Sequence, residues 1–275
     1  MESHSLKWVK IMFDRFKWYR TFVDSVNPVT MILVATLMFP LVVFIHNPNI
    51  MFYLALLMTV ILFIFSGIKY HYLLGMIIIL LLLSTVSVMY MVFYGEGETT
   101  LFQWGLIHIT EEILMRGGHI FMRGFVMSSF GSLIIFTTKI TDVFYSLMQQ
   151  VKLPPKFAYA FMAGIRMVPI IFDEYLTLRR TRLVRGALVP RKYTRGLTGF
   201  ITLIVTLLSQ SIRRAFRLGI AMESKGFTNG PRTYYYKTSL SLYDLLFVVL
   251  IAITVYLGFV LGGAFPIFEI DNVIA

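Results

Sequence analysis

The segment Leu73–Tyr94 reads LLGMIIILLLLSTVSVMYMVFY and contains no charged residue. A helix needs about 20 mostly apolar residues to cross about 30 Å of hydrocarbon, and this segment meets that length. Three further uncharged segments have a similar character: Val29–His46, Ile50–Ser66 and Leu245–Phe265. Each predicts a transmembrane helix, and the turn Asn47-Pro48-Asn49 predicts that the first two form a helical hairpin.

The composition of the whole chain agrees with a membrane protein. Of its 275 residues, 57% are hydrophobic and 14% are charged, whereas a soluble domain carries about 25% charged residues. The chain has no cysteine, which excludes disulfides and thiolate metal sites.

A fifth apolar segment, Gly118–Thr138, is interrupted by His119 and Arg123. The region Ile109–Thr138 therefore predicts either one long helix or two shorter ones. A charged side chain inside a span is costly when it faces lipid. We expect Arg123 to reach the interface or to pair inside the helix bundle.

A strongly basic stretch runs from Lys139 to Lys237. It holds 17 of the 25 Lys/Arg residues and four acidic residues, a balance of +13 against +11 for the whole chain. Loops rich in Lys and Arg stay in the cytoplasm. The segment before the first span also has five Lys/Arg, whereas Gly95–Ile109 has only acidic charges. We expect the N-terminus and the basic stretch to be cytoplasmic and the C-terminus to lie outside.

The basic stretch predicts three helices: Asp142–Gln150, Lys156–Arg185 and Leu197–Lys225. Proline residues end the first, and glycine follows each of the other two, as is common at helix C-termini. The apolar part of the third helix, Phe200–Leu208, is too short to span a bilayer. It predicts a face that lies at the membrane interface or packs on a partner.

Each of the two long helices ends on a cation followed by glycine, Arg185-Gly186 and Lys225-Gly226. One interpretation is helix capping, because a cation near the last carbonyls contributes about 0.3–1 kcal/mol. The other is that two rigid helices present two cations to two acidic sockets. Spacing alone leaves both open.

The stretch from Thr137 to Phe227 resembles the transmembrane T component of energy-coupling factor (ECF) vitamin transporters. The string Arg166–Glu174 is similar to an Arg–Pro–acidic helix of that family. Val184-Arg185-Gly186 and Ser224-Lys225-Gly226 occupy the places of its two Ala-Arg-Gly signatures. Val184 and Ser224 replace Ala, and Lys225 replaces Arg. Lysine keeps the charge but lacks the forked geometry of a guanidinium.

The resemblance implies an all-α integral membrane protein with about five transmembrane helices and a cytoplasmic coupling domain of long amphipathic helices. It implies residues 1–138 for the N-terminal segment and four spans, 139–237 for the coupling domain and 238–275 for the last span. It also implies that the chain couples two ABC-type ATPase subunits to a membrane-embedded substrate-binding S component, in the lipid bilayer of the cell membrane, for vitamin or micronutrient uptake.

The implied site has two parts. The residues expected to bind the ATPases are Val184, Arg185, Gly186, Ser224, Lys225 and Gly226. The residues expected to contact the S component are Phe172, Tyr175, Leu176, Phe200, Ile204, Leu207 and Leu208. No Gly-x-x-x-x-Gly-Lys-Ser/Thr motif is present, so ATP is expected on the partner subunits and no cofactor on this chain. We expect no nucleic-acid partner.

Four residues could suggest a metal site: His108, Glu111, Glu112 and His119. Their spacing fits no standard helical metal motif, so we expect no metal.

Two other classes of function remain open at this point. A membrane-embedded enzyme acting on lipid would need convergent polar residues, but the four uncharged spans offer only His46 and a few Ser and Thr residues. A basic membrane anchor would use the positive stretch as a diffuse patch. In that case the two helix-end cations would matter no more than Arg191 or Arg195.

Overall fold

A computed structural model describes residues 17–94, 100–104, 107–186, 197–227 and 233–268. This part of the chain consists mainly of α-helices, which confirms the predicted fold class. A short 3-10 helix at Phe22–Ser25 comes first. The α-helices that follow are α1 Pro28–Phe44, α2 Pro48–Phe65, α3 Tyr70–Tyr94, α4 Glu111–Thr137, α5 Ile140–Gln150, α6 Pro155–Gly186, α7 Leu197–Ser224 and α8 Leu242–Ala264.

A two-stranded hairpin lies where the sequence predicts only a loop. Strand β1, Thr100–Trp104, pairs antiparallel with strand β2, Ile107–Thr110. Both strands contain the β-branched and aromatic residues that favour this conformation. The acidic residues Glu96 and Glu98 lie outside the described residues.

Contacts divide the chain into two compact units. We call residues 15–146 with 238–275 the membrane unit, and residues 147–237 the helix-pair unit. The boundary falls within α5. The membrane unit contains α1 to α4 and α8, and the helix-pair unit contains α6 and α7.

Five helices in the described part of the chain are long and apolar enough to cross a membrane. They are α2, α3, residues 113–137 of α4, residues 155–182 of α6, and α8. Helix α1 is also apolar but has only 17 residues, because it ends at Phe44 instead of the predicted His46. The segment of α6 has the lowest mean hydropathy of the five, 1.2 against 1.6 to 2.7 for the others.

The core of the membrane unit forms around α4, which packs against α1, α2 and α3. Although a short turn joins α1 to α2, α1 packs mainly on α4, and α2 packs about equally on α4 and α8. Glycine allows the close approach of α2 and α8, since a Cβ atom on Gly262 would lie 2.8 Å from the Ile50 nitrogen. Met51, Leu54 and Phe247 are fully buried in this core.

A buried carboxylate joins the starts of α1 and α8. Asp244 accepts hydrogen bonds from the backbone N–H of Asn27 and from that of Ser241, each at 2.6 Å. Asn27 in turn caps α1 by accepting from the Val29 N–H at 3.1 Å. The two helices therefore begin at the same end of the membrane unit.

Helix α4 is continuous from Glu111 to Thr137, which decides between the two predicted alternatives in favour of one long helix. Near its middle, Arg123 Nη2 donates to the carbonyl oxygens of Val43 and Ile45, both at 3.1 Å. His119 Nε2 lies 3.1 Å from the same Ile45 oxygen. Arg123 therefore binds carbonyl groups at the C-terminal end of α1. A cation there interacts favourably with the negative end of the helix dipole.

Candidate functional site

Helices α6 and α7 form an antiparallel pair, and three contacts fix their direction. The contacts are an edge-to-face ring pair with centroids 5.7 Å apart (Tyr159 and Phe227), an ion pair (Glu174 and Arg214), and a 2.7 Å hydrogen bond from Nη1 to a carbonyl oxygen (Arg182 and Gly199). Residue numbers fall along α7 as they rise along α6. The end of each helix therefore lies beside the beginning of the other.

This arrangement separates the two predicted signatures. Extrapolated from the pair Tyr159 and Phe227, Lys225 lies level with a residue near the start of α6, whereas Arg185 lies at the end of α6. At a rise of 1.5 Å per residue, the two positions are about 36 Å apart along the pair. A single acidic socket of ordinary size could not hold both cations.

The end of α7 is a Schellman turn that presents Lys225. Gly226 has a φ of +73°, a conformation that glycine adopts without strain. Its N–H donates to the Glu223 oxygen at 2.9 Å, and the Phe227 N–H donates to the Met222 oxygen at 3.0 Å. Lys225 is exposed at this turn. The predicted glycine cap is confirmed here.

The end of α6 carries the other signature. The helix reaches Gly186, one residue beyond its predicted end, and Val184 is 75% exposed. The side chain of Arg185 and the connector 187–196, with Arg191 and Arg195, lie outside the described residues. At the opposite end of the pair, the Ser224 hydroxyl donates to the Ala221 oxygen at 3.1 Å, which occupies it within its own helix.

Helix α7 carries a continuous apolar stripe along its length. Its members recur every four residues and are 45% to 69% exposed: Phe200, Ile204, Leu208, Ile212, Phe216 and Ile220. Leu207, which was also predicted to contact a partner, is only partly exposed. The prediction stopped at Leu208 because arginines begin at Arg213. The four-residue recurrence was the signal that would have extended the stripe.

Helix α6 has a similar apolar stripe. Its members are 37% to 64% exposed: Phe157, Phe161, Ile165, Val168 and Phe172. Phe172 packs near Tyr175 with ring centroids 6.4 Å apart, and Tyr175 and Leu176 are partly exposed. The structure therefore places Phe172 on an exposed face and the other two predicted residues beside it.

Charge on the two helices is strongly positive. Within 155–186 and 197–225 there are ten Lys/Arg and three acidic residues, a balance of +7. The charge of one of these three acidic residues, Glu174, is neutralised by its ion pair with Arg214. Such a surface attracts an acidic partner and repels a basic one.

These features define the class of protein: a multi-pass helical membrane protein with a basic, antiparallel helix pair that exposes apolar stripes. The family described as CbiQ, Cobalt transport protein, matches residues 20–236. This match covers most of the chain, so the chain belongs to that family. The resemblance to the T component is thereby confirmed.

The chain is also similar to three curated proteins, each named energy-coupling factor transporter transmembrane protein EcfT. The protein of Streptococcus equi subsp. equi is 25% identical over 253 residues, which cover 89% of this chain and 94% of that protein. The protein of Streptococcus thermophilus is 26% identical over 251 residues, or 88% and 95%. The protein of Listeria innocua is 28% identical over 156 residues, or 54% and 59%.

Proposed function

We propose that this chain is the energy-coupling membrane subunit of an ECF-type importer. It transmits conformational change from two ATPase subunits to a substrate-binding S component that takes up a vitamin or micronutrient. The observation that carries this proposal is the antiparallel pair of α6 and α7, which holds two signature cations at opposite ends. Family membership and similarity to proteins named EcfT support it.

The separation of the cations supports two ATPase partners. Arg185 and Lys225 lie about 36 Å apart by helix rise, so two acidic grooves on two related subunits match them better than one groove. Lys225 is exposed on a turn that its own hydrogen bonds hold. The backbone that carries Lys225 therefore loses little conformational freedom on binding, which favours affinity.

The apolar stripes support a membrane-embedded S component as the second partner. Monomeric soluble surfaces rarely expose large continuous apolar patches, and such patches mark interaction sites. The stripe of α7 extends from Phe200 to Ile220, about 30 Å along the helix. A hydrophobic S component is the kind of partner that such a length of apolar surface can bind.

In this proposal the helix-pair unit lies on the cytoplasmic side, although residues 155–182 have the length and composition of a span. Between Lys156 and Asp173, Arg166 would lie near the bilayer centre, where a cation costs about 2.5–3.5 kcal/mol. Charges continue at Glu174, Arg179 and Arg180. A cytoplasmic helix keeps all these groups in water.

Mechanical transmission follows from the contacts between the helices. The ion pair of Glu174 with Arg214 joins the helices near the middle, and Tyr159 with Phe227 joins them at one end. When ATP closes the ATPase dimer, movement at the two cationic ends therefore shifts the stripes that hold the S component. ATP binding and hydrolysis take place on the partner subunits, and this chain needs no cofactor.

The test compares two double variants expressed with the partner subunits. Arg185→Ala with Lys225→Ala should reduce ATPase co-purification and ATP-driven uptake by at least about tenfold, a loss of about 1.4 kcal/mol or more. Arg166→Ala with Arg213→Ala removes the same charge from exposed positions within the helices and should change both by less than about twofold. Equal losses in the two variants would contradict the proposal and favour the basic membrane anchor.

A further inference from the structure

Helices α2, α3 and α4 line an open apolar groove of about 530 Å³ in the membrane unit. Its lining includes Phe52, Leu56, Val60, Ile64, Leu81 and Phe125. One polar side chain of the lining, Thr59, donates its hydroxyl to the Ala55 oxygen at 2.7 Å and is thereby satisfied. The groove therefore suits a ligand segment that is entirely hydrocarbon.

The groove has the length and the openness to take a lipid chain. From Phe52 to Ile64 it follows α2 for about 18 Å, somewhat more than half of a hydrocarbon core of about 30 Å. Leu56, Val60 and Ile64 are each about half exposed, so the groove is open along its side.

Polar groups collect at the Ile64 end of the groove. The Tyr19 hydroxyl donates to the Ile64 oxygen at 2.8 Å, and the Trp18 N–H donates to the Gly67 oxygen at 2.8 Å. Lys17 forms an isolated antiparallel bridge with Ile68. These contacts hold residues 17–20 beside the turn between α2 and α3.

Cationic and aromatic side chains adjoin these contacts, with Arg20 next to Tyr19 and Lys69 next to Ile68, and we call them the cationic and aromatic cluster. Arg20 and Lys69 are exposed, and neither forms an ion pair within the described residues, whereas Lys17 is neutralised by Asp24. Trp18 is 74% exposed. Exposed Trp and Tyr side chains are typical of the headgroup level of a bilayer. An anionic headgroup would complement the two free cations.

We propose that this cluster and the groove form a binding site for one anionic phospholipid of the surrounding bilayer. One acyl chain lies in the groove along α2, and the phosphate lies against Arg20 and Lys69. The Tyr19 ring, held by the Ile64 carbonyl, separates the two parts. The site lies in the membrane unit and includes none of the cations or stripes of α6 and α7.

The first test measures lipid affinity on the purified full chain by native mass spectrometry. Each cation near the headgroup contributes about fivefold, so Arg20→Ala with Lys69→Ala should weaken phosphatidylglycerol binding by about 30-fold. Phosphatidylcholine binding should weaken much less, because its choline group offsets the charge of its phosphate. Lys69→Ala alone should lose about fivefold, whereas Lys139→Ala, which removes an exposed cation beyond the end of α4, should lose less than twofold. Unchanged phosphatidylglycerol binding in the double variant would overturn the proposal.

The second test identifies the occupant of the groove in native membranes. A photo-crosslinking amino acid at Val60 should yield adducts with the mass of a phospholipid, enriched in anionic species, and Val60→Trp should weaken phosphatidylglycerol binding by filling the groove. The matched crosslinking position is Leu246 on α8, which is 46% exposed and should show no anionic enrichment. An adduct with a protein at Val60 would overturn the assignment to lipid.

Discussion

Single side chains in the membrane unit provide hydrogen bonds that a bilayer cannot supply. Arg123 binds the carbonyl oxygens of Val43 and Ile45, at the point where α1 ends. Unpaired backbone groups at membrane depth cost several kcal/mol each. The short α1 is therefore possible because α4 brings a guanidinium to its end.

We predict that Arg123→Ala lowers stability by about 2 kcal/mol, because hydrogen bonds from a charged donor to the α1 carbonyls are lost. Thermal unfolding of the purified chain in detergent measures the effect as a lower Tm. Arg116→Ala, two turns earlier on the same helix, is the control and should lower Tm much less. Equal shifts in the two variants would contradict a capping role for Arg123.

At the scale of elements, the direction of α6 against α7 decides what the two signatures can do. A parallel pair would bring both helix ends to one place and offer one site with two cations. The observed antiparallel pair has one cation at each end, because the three contacts between the helices run in opposite order. The signatures therefore lie at a distance from each other.

We predict a separation of about 33 Å between spin labels at Val184→Cys and Ser224→Cys, from the helix rise along an antiparallel pair. The chain has no native cysteine, so both labels are specific. Electron–electron double resonance measures the distance.

The control pair for this measurement is Phe172→Cys with Phe216→Cys, two exposed positions at the same level of the two helices. Their spacing should be about 10 Å between helix axes, plus the length of the labels. A short distance for the first pair together with a long one for the control would show a parallel arrangement and exclude two separate sockets.

At the scale of the whole molecule, the distribution of charge predicts the orientation in the membrane. The five Lys/Arg before the first span and the basic stretch 139–237 favour the cytoplasm. The turn with Lys69 belongs to the same side by this rule. The acidic segment with Glu98 belongs to the opposite side.

We predict that an impermeant maleimide labels Glu98→Cys in intact cells and labels Lys69→Cys only after the membrane is permeabilised. The reason is the exclusion of Lys/Arg-rich loops from translocation. The unmodified chain, which lacks cysteine, controls for background. Labelling of Lys69→Cys in intact cells would contradict the predicted orientation.

Much of the fold could be predicted from local patterns. The start of α6 at Pro155 and the end of α7 just before Gly226 were predicted to within one residue. Proline and glycine mark helix ends through their own backbone chemistry. The hairpin β1–β2 was missed, since strands of four or five residues carry little periodic signal. The contact of Arg123 with the end of α1 was also missed, because Arg123 is 80 residues from Val43 along the chain.

The sequence alone determined that the chain is a membrane protein of long helices with a basic stretch and two cation-glycine helix ends, because apolar length, charge and capping are local properties. Only the tertiary structure decided that these ends lie about 36 Å apart on an antiparallel pair. It alone also brought residues 17–20 to the turn between α2 and α3, at the Ile64 end of an apolar groove. Both results depend on contacts between residues distant in the chain, which no local pattern encodes.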